Sequence, residues 1–84
     1  MTDLERNLRA AILRALLAAK GPMPETAVKQ HLRNVFAHVA FTDGDLLQRI
    51  RELETAGIIC GTEDEIVGPV WDLTLKGKTR AQQL

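Results

Sequence analysis

The chain contains no serine, one cysteine (Cys60) and no glycine-rich phosphate loop. Without serine, triads built on a Ser nucleophile are excluded, and neither an HExxH motif nor paired cysteines take their place. A lone cysteine cannot form an intrachain disulfide, which points to a reducing compartment. No apolar run approaches the roughly 18 residues that a membrane-spanning helix needs. The stretch Met1-Thr2-Asp3-Leu4-Glu5-Arg6 lacks the basic-then-apolar order of a secretory signal. A cytoplasmic protein without a membrane partner is therefore expected. Net charge is missing too: eleven Lys/Arg balance eleven Asp/Glu, so composition alone argues for neither nucleic acid nor a lipid surface.

What is present is ordinary globular material. Eighty-four residues, 45% hydrophobic and 26% charged, suit one domain spanning residues 1–84 with a small core. The balanced charge conceals an asymmetry. Residues 1–42 carry six Lys/Arg against three Asp/Glu, and residues 43–84 carry five against eight.

Periodicity divides the chain into helices followed by strands. Leu4, Leu8, Ile12 and Leu16 recur every four residues, with Leu13 and Leu17 widening the stripe, and predict a helix over 3–20. Thr2 or Asp3 can cap its start, and Lys20-Gly21-Pro22 ends it. The stripe is broad for one small core, so Leu13 and Leu17 are candidates for self-association. Pro24 suits the first position of a second helix, 24–34, carrying Val28 and Leu32 inward. Residues 34–41 read equally as a helical extension or an apolar loop. Thr42 and Asp45 have capping-box spacing for a third helix over 43–56, with Leu46, Ile50 and Leu53 inside and Gly57 as its left-handed stop.

Beyond Gly57 the period changes to two. Ile58–Cys60 and Val70–Leu75 are expected to pair as a hairpin, with Gly61 to Glu65 as a polar turn and Pro69 marking an edge or bulge. Trp71 alternates with Leu73 and Leu75 and reads as core beneath the hairpin rather than as an interface anchor. The polar tail, Lys76 to Leu84, has room for one or two helical turns.

Two stretches carry a family resemblance. LLQRIRELETAGII, Leu46–Ile59, resembles the third helix and first wing strand of the winged helix-turn-helix superfamily. WDLTLKG, Trp71–Gly77, is similar to the return strand and "L-T-x-x-G" ending of many bacterial regulators in that superfamily. Size and segment order also resemble small winged-helix proteins of Mu-like phages and prophages. The resemblance implies a mainly α protein with a small β-hairpin (α+β): three helices plus a two-stranded wing, non-enzymatic, regulator-like, with duplex DNA as partner. The matched positions are mostly core and turn residues, so they specify fold more than function.

In winged-helix complexes the third helix enters the major groove. The residues expected on its surface are Asp43, Gly44, Asp45, Gln48, Arg49, Glu52 and Thr55. Gln48 can read adenine and Arg49 guanine, with Lys76, Lys78 and Arg80 of the tail as phosphate contacts. Against this, residues 43–72 hold two arginines and eight acidic residues, and the expected wing tip, Glu63-Asp64-Glu65, would repel phosphates. A protein-interaction or homodimerisation module that does not bind DNA is the alternative. No cofactor or metal is expected. His31, His38 and Cys60 fit no zinc spacing, and read as two partly exposed imidazoles and a buried thiol. The acidic triplet lacks the glycine spacing of a calcium loop.

Overall fold

Thr2 starts the first helix, α1 (Asp3–Ala19), by accepting a hydrogen bond on its hydroxyl from the Glu5 N–H at 3.2 Å. The structure, a computed structural model, describes residues 2–84. Leu8, Ile12 and Leu16 are buried on α1, with Leu13 beside them, and α1 packs against every other helix. A short strand follows, β1 (Met23–Pro24), and then α2 (Glu25–Val35). β1 lies outside the expected architecture. Two residues, Met23 between two prolines and Pro24 itself, show no alternation, and Pro24 has no N–H to give, so only a sheet edge suits them. Val35 ends α2, so of the ambiguous stretch 34–41 only residues 34 and 35 extend the helix, and residues 36–41 form a turn. That turn tucks Phe41 into the core, edge-on to Phe36 at 6.1 Å between ring centroids and under the Arg33 guanidinium.

The third helix, α3 (Asp43–Thr55), opens with the full capping box. Thr42 accepts from the Asp45 N–H at 3.0 Å, and Asp45 accepts from the Thr42 N–H at 2.9 Å. Gly57 leaves the helix at φ 74°, and the Ile58 N–H returns to the Leu53 carbonyl at 2.9 Å.

The hairpin is longer than its expected strands. β2 (Ile59–Asp64) and β3 (Gly68–Leu73) pair antiparallel from Ile59↔Leu73 to Asp64↔Gly68, and β1 adds to the far side of β3, giving the order β1-β3-β2. The turn falls at residues 65–67 rather than at Gly61 to Glu65. Its cause is local: the Asp64 carboxylate accepts from the N–H groups of Ile66 and Val67 at 2.8 and 3.0 Å, an Asx-type closure that backbone alternation does not reveal.

A fourth helix, α4 (Leu75–Gln82), supplies the helical turns expected of the tail but begins one residue earlier, at the position expected to end the strand. Thr74 is the pivot. Its hydroxyl accepts from the Gly77 N–H at 3.0 Å and reaches the carbonyl oxygens of Gly57 and Ile58 at 2.6 and 3.0 Å, while its own N–H donates to Ile58 at 3.1 Å. Gly77 packs so closely that a Cβ there would overlap the Ile58 carbonyl oxygen. The threonine and glycine of WDLTLKG thus lock α4 to the end of α3 and the start of β2. Leu75, expected to face inward on the strand, instead begins α4 and is 82% exposed.

Among the described residues the fold is α+β, with four helices and a three-stranded antiparallel sheet where three helices and a two-stranded wing were expected. One contiguous cluster of buried side chains joins α1, α2, α3 and the hairpin base. Trp71 belongs to it, its indole N–H donating to Glu25 of α2 at 3.2 Å. No helix among the described residues is long and apolar enough to cross a membrane.

Candidate functional site

The phase of α3 decides which of its side chains can meet a partner. Leu46, Arg49, Ile50 and Leu53 are buried, whereas Gly44, Gln48, Arg51 and Thr55 form an exposed stripe at spacings of three and four residues. Arg49 was expected on the surface and is not there: it is 8% exposed. Its guanidinium is 2.8 Å from the Glu5 carboxylate of α1 and 3.0 Å from Glu52, one turn along its own helix. The Glu52 contact is a charge contact out of line for a hydrogen bond. Burial of the arginine stem and two carboxylate partners make Arg49 a brace between α1 and α3.

Arg51 takes the outward position instead. It stands between two concave surfaces. One, of about 460 Å³, runs between α3 and the hairpin past Leu47, Glu54, Thr62 and Trp71. The other is a shallow depression shared with Arg9, Gln48 and Thr55. The sequence already held the signal: on a helical wheel centred on Leu46, Ile50 and Leu53, position 49 falls inside and 51 outside.

The acidic start of α3 is partly neutralised. Lys29 and Arg33, one turn apart on α2, converge on the Asp43 carboxylate at 2.8 and 2.5 Å. Hydrogen bonds from Lys29 first, then Arg33, hold the Asp43 carboxyl below its ordinary value of 3.8. Three charges at one corner therefore leave a net positive unit. The hairpin tip has no such compensation. Glu63, Asp64 and Glu65 are exposed there beside Ile66, which is 92% exposed, and the two backbone N–H groups of the turn, Val67 first and then Ile66, lower the Asp64 pKa.

The remaining candidates are dispersed. Gln48 is exposed on the outer stripe. Lys76 donates to the Ala56 carbonyl at 2.9 Å, at the C-terminal end of α3. Lys78 lines a cleft with Leu16, Leu17, Lys20 and Leu73, and Arg80 is exposed in the last turn of α4. Leu13 is buried in the core of its own chain, which removes it from any open face, because α1 is central and covered on several sides. Leu17 is half-buried at the wall of the cleft.

His31, His38 and Cys60 are all exposed. The thiol was expected to be buried, but it neighbours the inward Ile59 on β2 and so points outward. Among the described residues no group of three or more His, Cys, Asp or Glu could hold a metal ion.

No family model and no curated protein matches the sequence. A solved structure is similar in fold: that of a transcriptional regulator from Clostridium thermocellum. It superposes with a TM-score of 0.72 over 99% of this chain and 82% of the other, at 19% sequence identity. At that identity the likeness shows a shared fold and carries over neither a role nor residue functions.

Proposed function

We propose that residues 1–84 form a single winged helix-turn-helix domain that binds duplex DNA as a regulator-like, non-enzymatic cytoplasmic protein. The order α1, β1, α2, α3, β2, β3 suits a wing placed beside the third helix, with α4 appended. A phage or prophage origin enters only through the resemblance in size and layout.

The observation that carries this reading is the outer stripe of α3. Gln48 and Arg51 project from it without a buried role, and their chemistry suits adenine and guanine edges in the major groove. Lys29 and Arg33 stand beside the start of the same helix and can follow the phosphate backbone. Lys76, Lys78 and Arg80 offer further cations towards the other end of the fold. Arg49 has no part in readout, since its charge is committed to Glu5 and Glu52. The acidic tip keeps the wing off the phosphates, so affinity is weak for the fold class.

Selection of bound duplexes from a random pool tests the assignment. Wild type should enrich a short motif, Arg51→Ala should relax the preference at a guanine, and Gln48→Ala should relax it at an adenine. Enrichment unchanged in both variants would remove α3 from the interface.

A further inference from the structure

The hairpin tip and the cleft at the end of α1 are complementary in chemistry, an apolar side chain among carboxylates against apolar walls with two lysines. The tip ends in Ile66, 92% exposed, with Val67 exposed beside it and the carboxylates of Glu63, Asp64 and Glu65 around them. Water gains nothing from such a side chain, and the turn does not require it: the Asx closure uses the backbone N–H of residue 66, which any residue except proline supplies. The cleft, of about 240 Å³, has Leu16, Leu17 and Leu73 as apolar walls and the exposed Lys20 and Lys78 at its margin. Asp72 also lines it, with one carboxylate oxygen held by the Leu73 N–H at 2.8 Å.

We infer that the tip of one molecule seats in this cleft of a second copy of the chain. Ile66 fills the apolar part, and the acidic triplet meets Lys20 and Lys78. No chain can do this with itself. β3 runs from Gly68 at the tip to Leu73 at the cleft, and that stretch of strand spans about 17 Å. A twofold axis across the hairpin would make both contacts at once and close the assembly as a dimer, whereas repetition of one contact would build a chain of molecules. Each contact is small beside the roughly 1,600 Å² of a standard interface, so the association is weak, and its charged rim makes it weaken as salt rises. The surface is separate from the outer stripe of α3, and the inference does not rest on DNA binding.

Sedimentation equilibrium of the full chain, from micromolar to millimolar concentration at low salt, tests the contact without DNA. Wild type is expected to associate, and Ile66→Asp to weaken association about tenfold or more, with an unchanged melting curve because residue 66 touches little of its own chain. Two charge reversals sharpen the test. Lys20→Glu with Lys78→Glu makes cleft and tip both acidic, and Glu63→Lys with Glu65→Lys makes both basic, so each variant alone should be monomeric. Their equimolar mixture should associate. A wild type that stays monomeric throughout overturns the inference. So does association that is indifferent to Ile66→Asp, or a mixture of the two charge variants that does not assemble.

Discussion

Two regions of this molecule use the same residue types in opposite ways. In the interior, polar groups are consumed by the fold: between α1 and α3 Arg49 is neutralised by Glu5 and Glu52, and at the hairpin base Thr74 binds Gly57, Ile58 and Gly77. Two residues away from Arg49, on the far face of the same helix, Arg51 lies open beside Gln48 and Thr55. The lesson is that charge in a short chain cannot be tallied by segment. Of the eight acidic residues in 43–72, Asp43 and Glu52 have basic partners, while the three at the hairpin tip face water. If the division holds, substitutions in the inner region change stability and spare DNA binding, and substitutions in the outer region do the reverse.

The largest effect should come from Gly77→Ala. The added Cβ meets the Ile58 carbonyl, a backbone group that cannot rotate away, so the loss of unfolding free energy in urea should be about 2–3 kcal/mol. A loss below about 0.5 kcal/mol would mean that α4 is not locked to the hairpin base. Arg49→Ala comes next. Its partners are about one-third exposed, which discounts the value of the pair, and about 1–2 kcal/mol of stability should go. The folded fraction should keep the wild-type base preference. Altered preference with unaltered stability would exchange the roles assigned to the two arginines.

Arg51→Ala should show the converse, with stability within about 0.5 kcal/mol of wild type and a loss of about 1–3 kcal/mol on a preferred duplex. Replacing Glu63, Asp64 and Glu65 by Gln, Asn and Gln should raise affinity for any duplex without changing base preference, because repulsion is removed and no readout is added. Asparagine at 64 keeps the side-chain acceptor of the turn.

The smallest effect concerns the exposed Asp43 corner. Its carboxyl is more acidic when folded than when unfolded, so the link from α3 to Lys29 and Arg33 contributes above pH 3.8 and is lost as pH falls through the lower folded value. In Asp43→Asn that part of the acid dependence of stability should vanish. Acid titration curves that coincide for the two proteins would show that the corner adds nothing to the fold.

Where side chains repeat with a helical or alternating period, the sequence predicted the architecture well. The three main helices, the capping box at Thr42 and the stop at Gly57 follow from spacing and from residues whose chemistry suits one position. The elements it missed depend on contacts distant in the chain or on side-chain hydrogen bonds. β1 exists because Met23 and Pro24 meet Trp71 and Val70 nearly fifty residues later. The turn at 65–67 and the start of α4 follow from bonds made by Asp64 and Thr74. The candidate site was legible only in part. Gln48 lies on the outer stripe as expected, whereas the helical phase of Arg49 relative to Leu46, Ile50 and Leu53 turns it inside.

Whether the outer face of α3 meets DNA is tested most directly by a duplex titration at two salt concentrations. Wild type and Arg51→Ala would be measured against random and genomic duplexes at about 50 and 200 mM salt. The predicted result is weak wild-type binding that falls steeply with salt, with a genomic preference lost in Arg51→Ala while its melting curve is unchanged. No detectable binding by wild type at the lower salt, where phosphate contacts are strongest, would contradict it.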